Sequence, residues 1–114
     1  MNYIPKQGDI IILTFDPQTG HEQQGRRPAL VISNNSFNSF FKTGAMVCPI
    51  TSKEKDFPTR VKLDGRTKTQ GIIMCDQAKI LDTEKRNIVF VEKAPKDILT
   101  EVIEIVNNII ETED

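Results

Sequence analysis

Three short segments of the chain hold the side chains that could do chemistry. Gly20 to Pro28 reads GHEQQGRRP and gathers His21, Glu22, Gln23, Gln24, Arg26 and Arg27 between two apolar runs. A loop this long and polar exceeds what a hairpin requires. Arg27 immediately precedes Pro28, which biases its backbone to an extended conformation and so holds the guanidinium at a strand entrance. A planar, permanently charged fork placed there suits a phosphate. PITSK, Pro49 to Lys53, sets Thr51 and Ser52 at the end of another apolar run, beside Lys53. Asp76 and Gln77 interrupt GIIMCDQAKIL, as a bulge or an exposed patch on a sheet edge would. Taken singly, each segment also fits a solvated connection or a polar strand end.

Composition narrows the chemistry. His21 is the single histidine, so a two-histidine acid and base pair and a His-rich metal site are excluded. The two cysteines, Cys48 and Cys75, lie in apolar stretches without C-x-x-C spacing, which argues for reduced, buried thiols in a cytoplasmic protein and against structural zinc. No cofactor motif is present. The net charge of -1 conceals an asymmetry: residues 96–114 hold one Lys and six acids, so residues 1–95 carry 14 basic against 10 acidic side chains. A basic body is compatible with a polyanionic partner, because local potential governs encounter.

These residues need elements to position them. In 114 residues with 27% charged, one domain spanning 1–114 is expected. The apolar runs, such as Ile10 to Leu13, fall far short of the roughly 20 residues needed to span a bilayer, and no secretory signal is visible at the start. Asp9 to Phe15, Pro28 to Ser33, Gly44 to Ser52, Thr59 to Leu63, Gly71 to Cys75, Ala78 to Leu81 and Ile88 to Val91 read as short strands separated by turn residues. Asn34, Asn35 and Ser36 can cap a short helical turn through Phe40. Pro49 suits an edge strand or a bulge better than a central position. From Pro95, expected as the first helical residue, the period changes: Ile98, Val102, Ile105, Val106, Ile109 and Ile110 form one apolar stripe. This helix must be stabilised by packing, within the fold or against another subunit.

GDIIILTFDPQTGHEQQGRRPALVIS, PITS and GIIMCDQAKILD together resemble the MazF/PemK/Kid family of toxins from bacterial toxin–antitoxin systems, from about Gly8 into the final helix. The most specific parts are G-x-E-Q-x-G-x-R-P and its distance to PITS. The resemblance implies a mainly β fold with α, an SH3-like small β-barrel with a C-terminal helix and a short internal helix. It implies a homodimer that cleaves single-stranded RNA, mainly mRNA, at short motifs without a metal. Arg27 and Thr51 match the family's catalytic pair, Glu22 and Gln23 its RNA-contacting loop, and Asp76 and Gln77 a base-contacting pair. His21 departs from the commoner serine.

Metal-free cleavage can use the substrate's own 2′-hydroxyl as nucleophile, leaving a 2′,3′-cyclic phosphate and a 5′-hydroxyl. The protein then has to align the phosphate, move protons and stabilise charge. Arg27 would neutralise the nonbridging oxygens, Thr51 would donate a hydrogen bond, and Glu22 or His21 would accept the proton. Ser52, Lys53, Lys55 and Arg60 are further candidates for RNA contact. Such an activity implies a cognate antitoxin with an acidic segment that folds on the basic groove. Two other readings compete: a noncatalytic SH3-like binding module, and a topoisomerase-poisoning toxin of related fold.

Overall fold

A computed structural model describes residues 3–15, 25–41, 44–53 and 57–113. The elements are β1 (Asp9–Thr14), β2 (Arg26–Val31), α1 (Asn35–Phe40), β3 (Gly44–Thr51), β4 (Arg60–Lys62), β5 (Ile72–Met74), β6 (Lys79–Asp82), β7 (Val89–Lys93) and α2 (Lys96–Ile109), with a 3-10 turn at Cys75–Gln77 between β5 and β6. All pairings are antiparallel, in the order β4-β5-β3-β2-β1-β7, with β6 added beside β3. The fold is a mainly antiparallel sheet with a C-terminal helix and a short internal one.

The sheet curls because its hydrophobic pattern demands it. Six strands laid flat would span about 24 Å at the usual interstrand spacing. Yet one cluster draws together Ile10, Leu30, Cys48, Ile50, Val61 and Ile73 with Ile98 and Val102 of α2. The ladder does not close. Its ends are bridged by a side chain instead: Glu92 of β7 accepts hydrogen bonds from the Thr69 amide (2.8 Å) and hydroxyl (2.8 Å) and from the Lys68 amide (3.1 Å), in the loop that follows β4. Ile11, Leu13, Ala29, Val31, Ala45 and Val47 form a second cluster on the other face of β1, β2 and β3. Alternation along each strand feeds both clusters. The start of β1 is anchored by Asp9, 2% exposed, whose carboxylate accepts from Lys93 Nζ at 2.5 Å, the Lys6 amide at 2.9 Å and the Tyr3 hydroxyl.

Three local expectations are corrected. β2 starts at Arg26 rather than Pro28, because Arg26 and Arg27 pair with Thr14 and Leu13 of β1, which makes Arg27 the second residue of the strand. Pro49 occupies a central strand. It is tolerated because β3 pairs with β6 through Val47 and with β5 from Ile50, which leaves positions 48 and 49 unpaired on that side. Pro95 is the cap preceding α2 rather than its first residue. The short helix forms as expected, Asn34 capping it by accepting from the Phe37 amide at 2.8 Å. Of the α2 stripe, Ile98 and Val102 are buried, whereas Ile109 and Ile110 are 51% and 73% exposed beside a groove of about 320 Å³. No helix among the described residues is long and apolar enough to cross a membrane.

Candidate active site

Register decides which side chains share a face. Ile50, Ile73 and Val61 lie in one row across β3, β5 and β4, and all three enter the core cluster under α2. Their strand neighbours therefore point the other way. One such row runs Thr51, Ile72, Lys62, and the next sets Met74 beside Arg60. On the other edge of β3 the ladder with β2 runs from Val31–Val47 to Ala29–Pro49. The β2–β3 ladder ends there; Arg27 lies two residues before Ala29 along β2, and Thr51 two residues beyond Pro49 along β3, where β3 takes β5 as its partner. Leu13, the β1 partner of Arg27, belongs to the second cluster with Ala29 and Val31, which assigns Arg27 to that same face. Alternation along β2 and β3 likewise gives Thr51 the face of Val47 and Ala45, the face assigned to Arg27.

Thr51 is 7% exposed and sits at the strand end, where its Oγ1 accepts a hydrogen bond from the Lys53 amide at 3.2 Å. The backbone around it is fixed by Gly71, whose φ of +132° excludes most side chains and whose absent Cβ would lie 2.5 Å from the Thr51 carbonyl oxygen. Gly71 was not singled out in the sequence; its position just before an apolar strand is the one signal it gives. Arg26 points elsewhere, its Nη2 donating to the Asn87 carbonyl at 2.6 Å. Ser52 and Lys53 are exposed beyond the strand end. His21, Glu22, Gln23, Gln24 and Lys55 lie outside the described residues.

Asp76 and Gln77 are exposed on the 3-10 turn that follows β5. Asp76 Oδ1 receives Arg60 Nε and the Thr59 hydroxyl, both at 3.1 Å. Partial burial works against ionisation there, but these bonds outweigh it and hold the carboxyl below its usual range. A depressed carboxylate adds stability above the unfolded value and loses it as pH falls through the folded one. The stability gap between wild type and Asp76→Asn is therefore expected to stay constant from pH 8 to 5 and to shrink below the ordinary carboxylate range near 3.8, as urea midpoints at each pH would show. Arg60 is not a solvated surface charge: its side chain is 12% exposed, with its guanidinium carbon 5.2 Å from the centre of the Phe57 ring.

The cysteines are buried and unpaired. Burial pushes Cys48 up to about 12 and Cys75 up to about 11, so both are protonated at neutral pH and poor nucleophiles. Neither is expected to react with a disulfide reagent at pH 8 until urea unfolds the chain; fast native labelling would contradict this. Among the described residues, no group of three or more His, Cys, Asp or Glu could hold a metal ion.

An arginine and a threonine on one face of a curled antiparallel sheet are compatible with several activities, and comparison with known proteins separates them. Residues 6–110 match the family described as PemK-like, MazF-like toxin of type II toxin-antitoxin system. The chain belongs to this family. Among PemK/MazF relatives, endoribonuclease PemK of Escherichia coli is 35% identical over 102 residues, covering 86% of this chain and 76% of its own. Endoribonuclease toxin MazF of Escherichia coli strain K12 is 42% identical over 78 residues, 68% of each chain. The MazE-MazF (Form-II) structure from Deinococcus radiodurans superposes with a TM-score of 0.87 at 35% identity, covering 98% of this chain and 100% of that one. The PemK/MazF fold is thus shared along almost the whole length.

Proposed function

We propose that this PemK/MazF-family protein is a sequence-specific, metal-independent endoribonuclease toxin that cuts single-stranded mRNA by attack of the substrate's 2′-hydroxyl. The products are a 2′,3′-cyclic phosphate and a 5′-hydroxyl, and the consequence is inhibition of translation and growth. The observation that supports this reading is that alternation along the neighbouring strands β2 and β3 gives Arg27 and Thr51 the same face, in a chain whose relatives are named endoribonucleases. Arg27 binds the nonbridging oxygens bidentately and stabilises the charge that builds on phosphorus. Thr51 donates its hydroxyl to the same phosphate. Glu22 or His21 accepts the 2′-hydroxyl proton as the 2′-oxygen bonds to phosphorus, Arg27 gives a proton to the 5′-oxygen as its bond to phosphorus breaks, and Gln23, Ser52, Lys53, Asp76 and Gln77 hold the bases and flanking phosphates.

The protein acts in the cytoplasm as a homodimer and is silenced by a cognate antitoxin. The apolar surface around Ile109 and Ile110 supports burial against a second chain, and a MazF relative is known as a MazE-MazF structure. The test is incubation of the purified protein with mixed-sequence RNA in excess EDTA, followed by mapping of cut sites and end groups. Cleavage at one short motif with cyclic-phosphate ends is the expected result. Uncut RNA would remove the ribonuclease reading, and cutting only with added magnesium would remove the metal-free mechanism.

A further inference from the structure

We propose that Phe57, held by Arg60, is a stacking platform that completes the base-contacting position of Asp76 and selects there a base bearing an exocyclic amino group. The proposal rests on the ribonuclease reading above. Phe57 belongs to neither hydrophobic cluster, yet its ring is 50% exposed at a fixed place. What fixes it is local: the Arg60 guanidinium lies over the ring at 5.2 Å, and the Arg60 amide donates to the Phe57 carbonyl at 3.0 Å. Arg60 is in turn held by Asp76 at 3.1 Å. The exposed ring surface is therefore pre-organised for stacking, the way single-stranded RNA bases are held on aromatic and guanidinium planes.

The carboxylate supplies selection. Among the described residues, both hydrogen bonds to Asp76 fall on Oδ1, from Arg60 and Thr59, and its side chain is 35% exposed. A carboxylate oxygen beyond those two bonds can accept from an amino group such as cytosine N4. Arg60 shares the face of Thr51, two strands across and two residues along, or about 10 Å and 7 Å in the sheet. That is within reach of a base flanking the scissile phosphate. In this arrangement Arg60 is a positioning residue rather than a phosphate contact.

The experiment is cleavage of a randomised RNA pool, with sequencing of the cut ends, plus KM on the preferred motif at several salt concentrations. Phe57→Ala is expected to raise KM about 10- to 100-fold and to flatten the preference at one position, with Phe57→Tyr restoring both. Asp76→Asn is expected to change the base preferred at that same position. Arg60→Lys keeps the charge but loses the plane and Nε, so it is expected to behave like Phe57→Ala with a wild-type salt slope. The site is refuted if Phe57→Ala keeps both motif and KM, or if Arg60→Lys is fully active while Arg60→Ala lowers the salt slope by about one, the mark of a phosphate contact. Wild-type protein that cuts no RNA would instead end the ribonuclease reading and this proposal with it, so the two failures are distinguishable.

Discussion

Replacing Arg27 with alanine is expected to slow RNA cleavage by about 10²–10³-fold, the usual cost of removing one preorganised donor to developing negative charge. The fold should survive. The pairing of Arg27 with Leu13 is made by backbone groups that alanine retains, and the side chain is half-buried at the end of β2 rather than inside either cluster. Arg27→Lys should recover only part of the loss, because an ammonium restores charge but not the bidentate fork. Single-turnover cleavage with a thermal melt on each variant checks both halves of the expectation. A melt displaced by more than a few degrees would show that Arg27 supports the sheet instead.

The second large effect is expected far from any charged group. Gly71→Ala places a methyl 2.5 Å from the Thr51 carbonyl and 3.0 Å from Ile50 Cγ2, at a φ that alanine rarely adopts. One of the three must shift. The Gly71 carbonyl is pinned by the Leu63 amide at 2.9 Å, so the end of β3 is the part that yields, and Thr51 moves with it. A displacement of about 1 Å can cost roughly 100-fold in rate, and the strained backbone adds about 1–3 kcal/mol to the stability loss. Gly65→Ala is the control, since nothing lies within 4 Å of its absent Cβ. Equal activity of the two variants would show that Thr51 is not held through Gly71.

Strands and the closing helix were legible in the sequence because their signals are local: alternation, turn residues, and a 3.6-residue stripe beginning after Pro95. The site was legible only in its residue types. Which residues stand near Arg27 depends on the register of β2 against β1 and β3, a non-local pairing that no spacing along the chain encodes. Pro49 misled for the same reason, since its unpaired position arises from the change of partner between β6 and β5. The partners of Arg60 were not legible, because Asp76 is brought beside it by the β4–β5 pairing. Gly71 carried no side chain to notice. Asp76 was singled out by resemblance, and its hydrogen bonds to Arg60 and Thr59 depend on the β4–β5 pairing, which the spacing does not encode.

The account turns on Arg27 and Thr51 acting on one phosphate. A double-mutant cycle with Arg27→Ala and Thr51→Val, read by single-turnover cleavage of the preferred motif, tests this directly. Groups that grip the same phosphate act as a unit, so the double variant is expected to lose little more activity than Arg27→Ala alone. Losses that multiply, as for two independent sites, would contradict it.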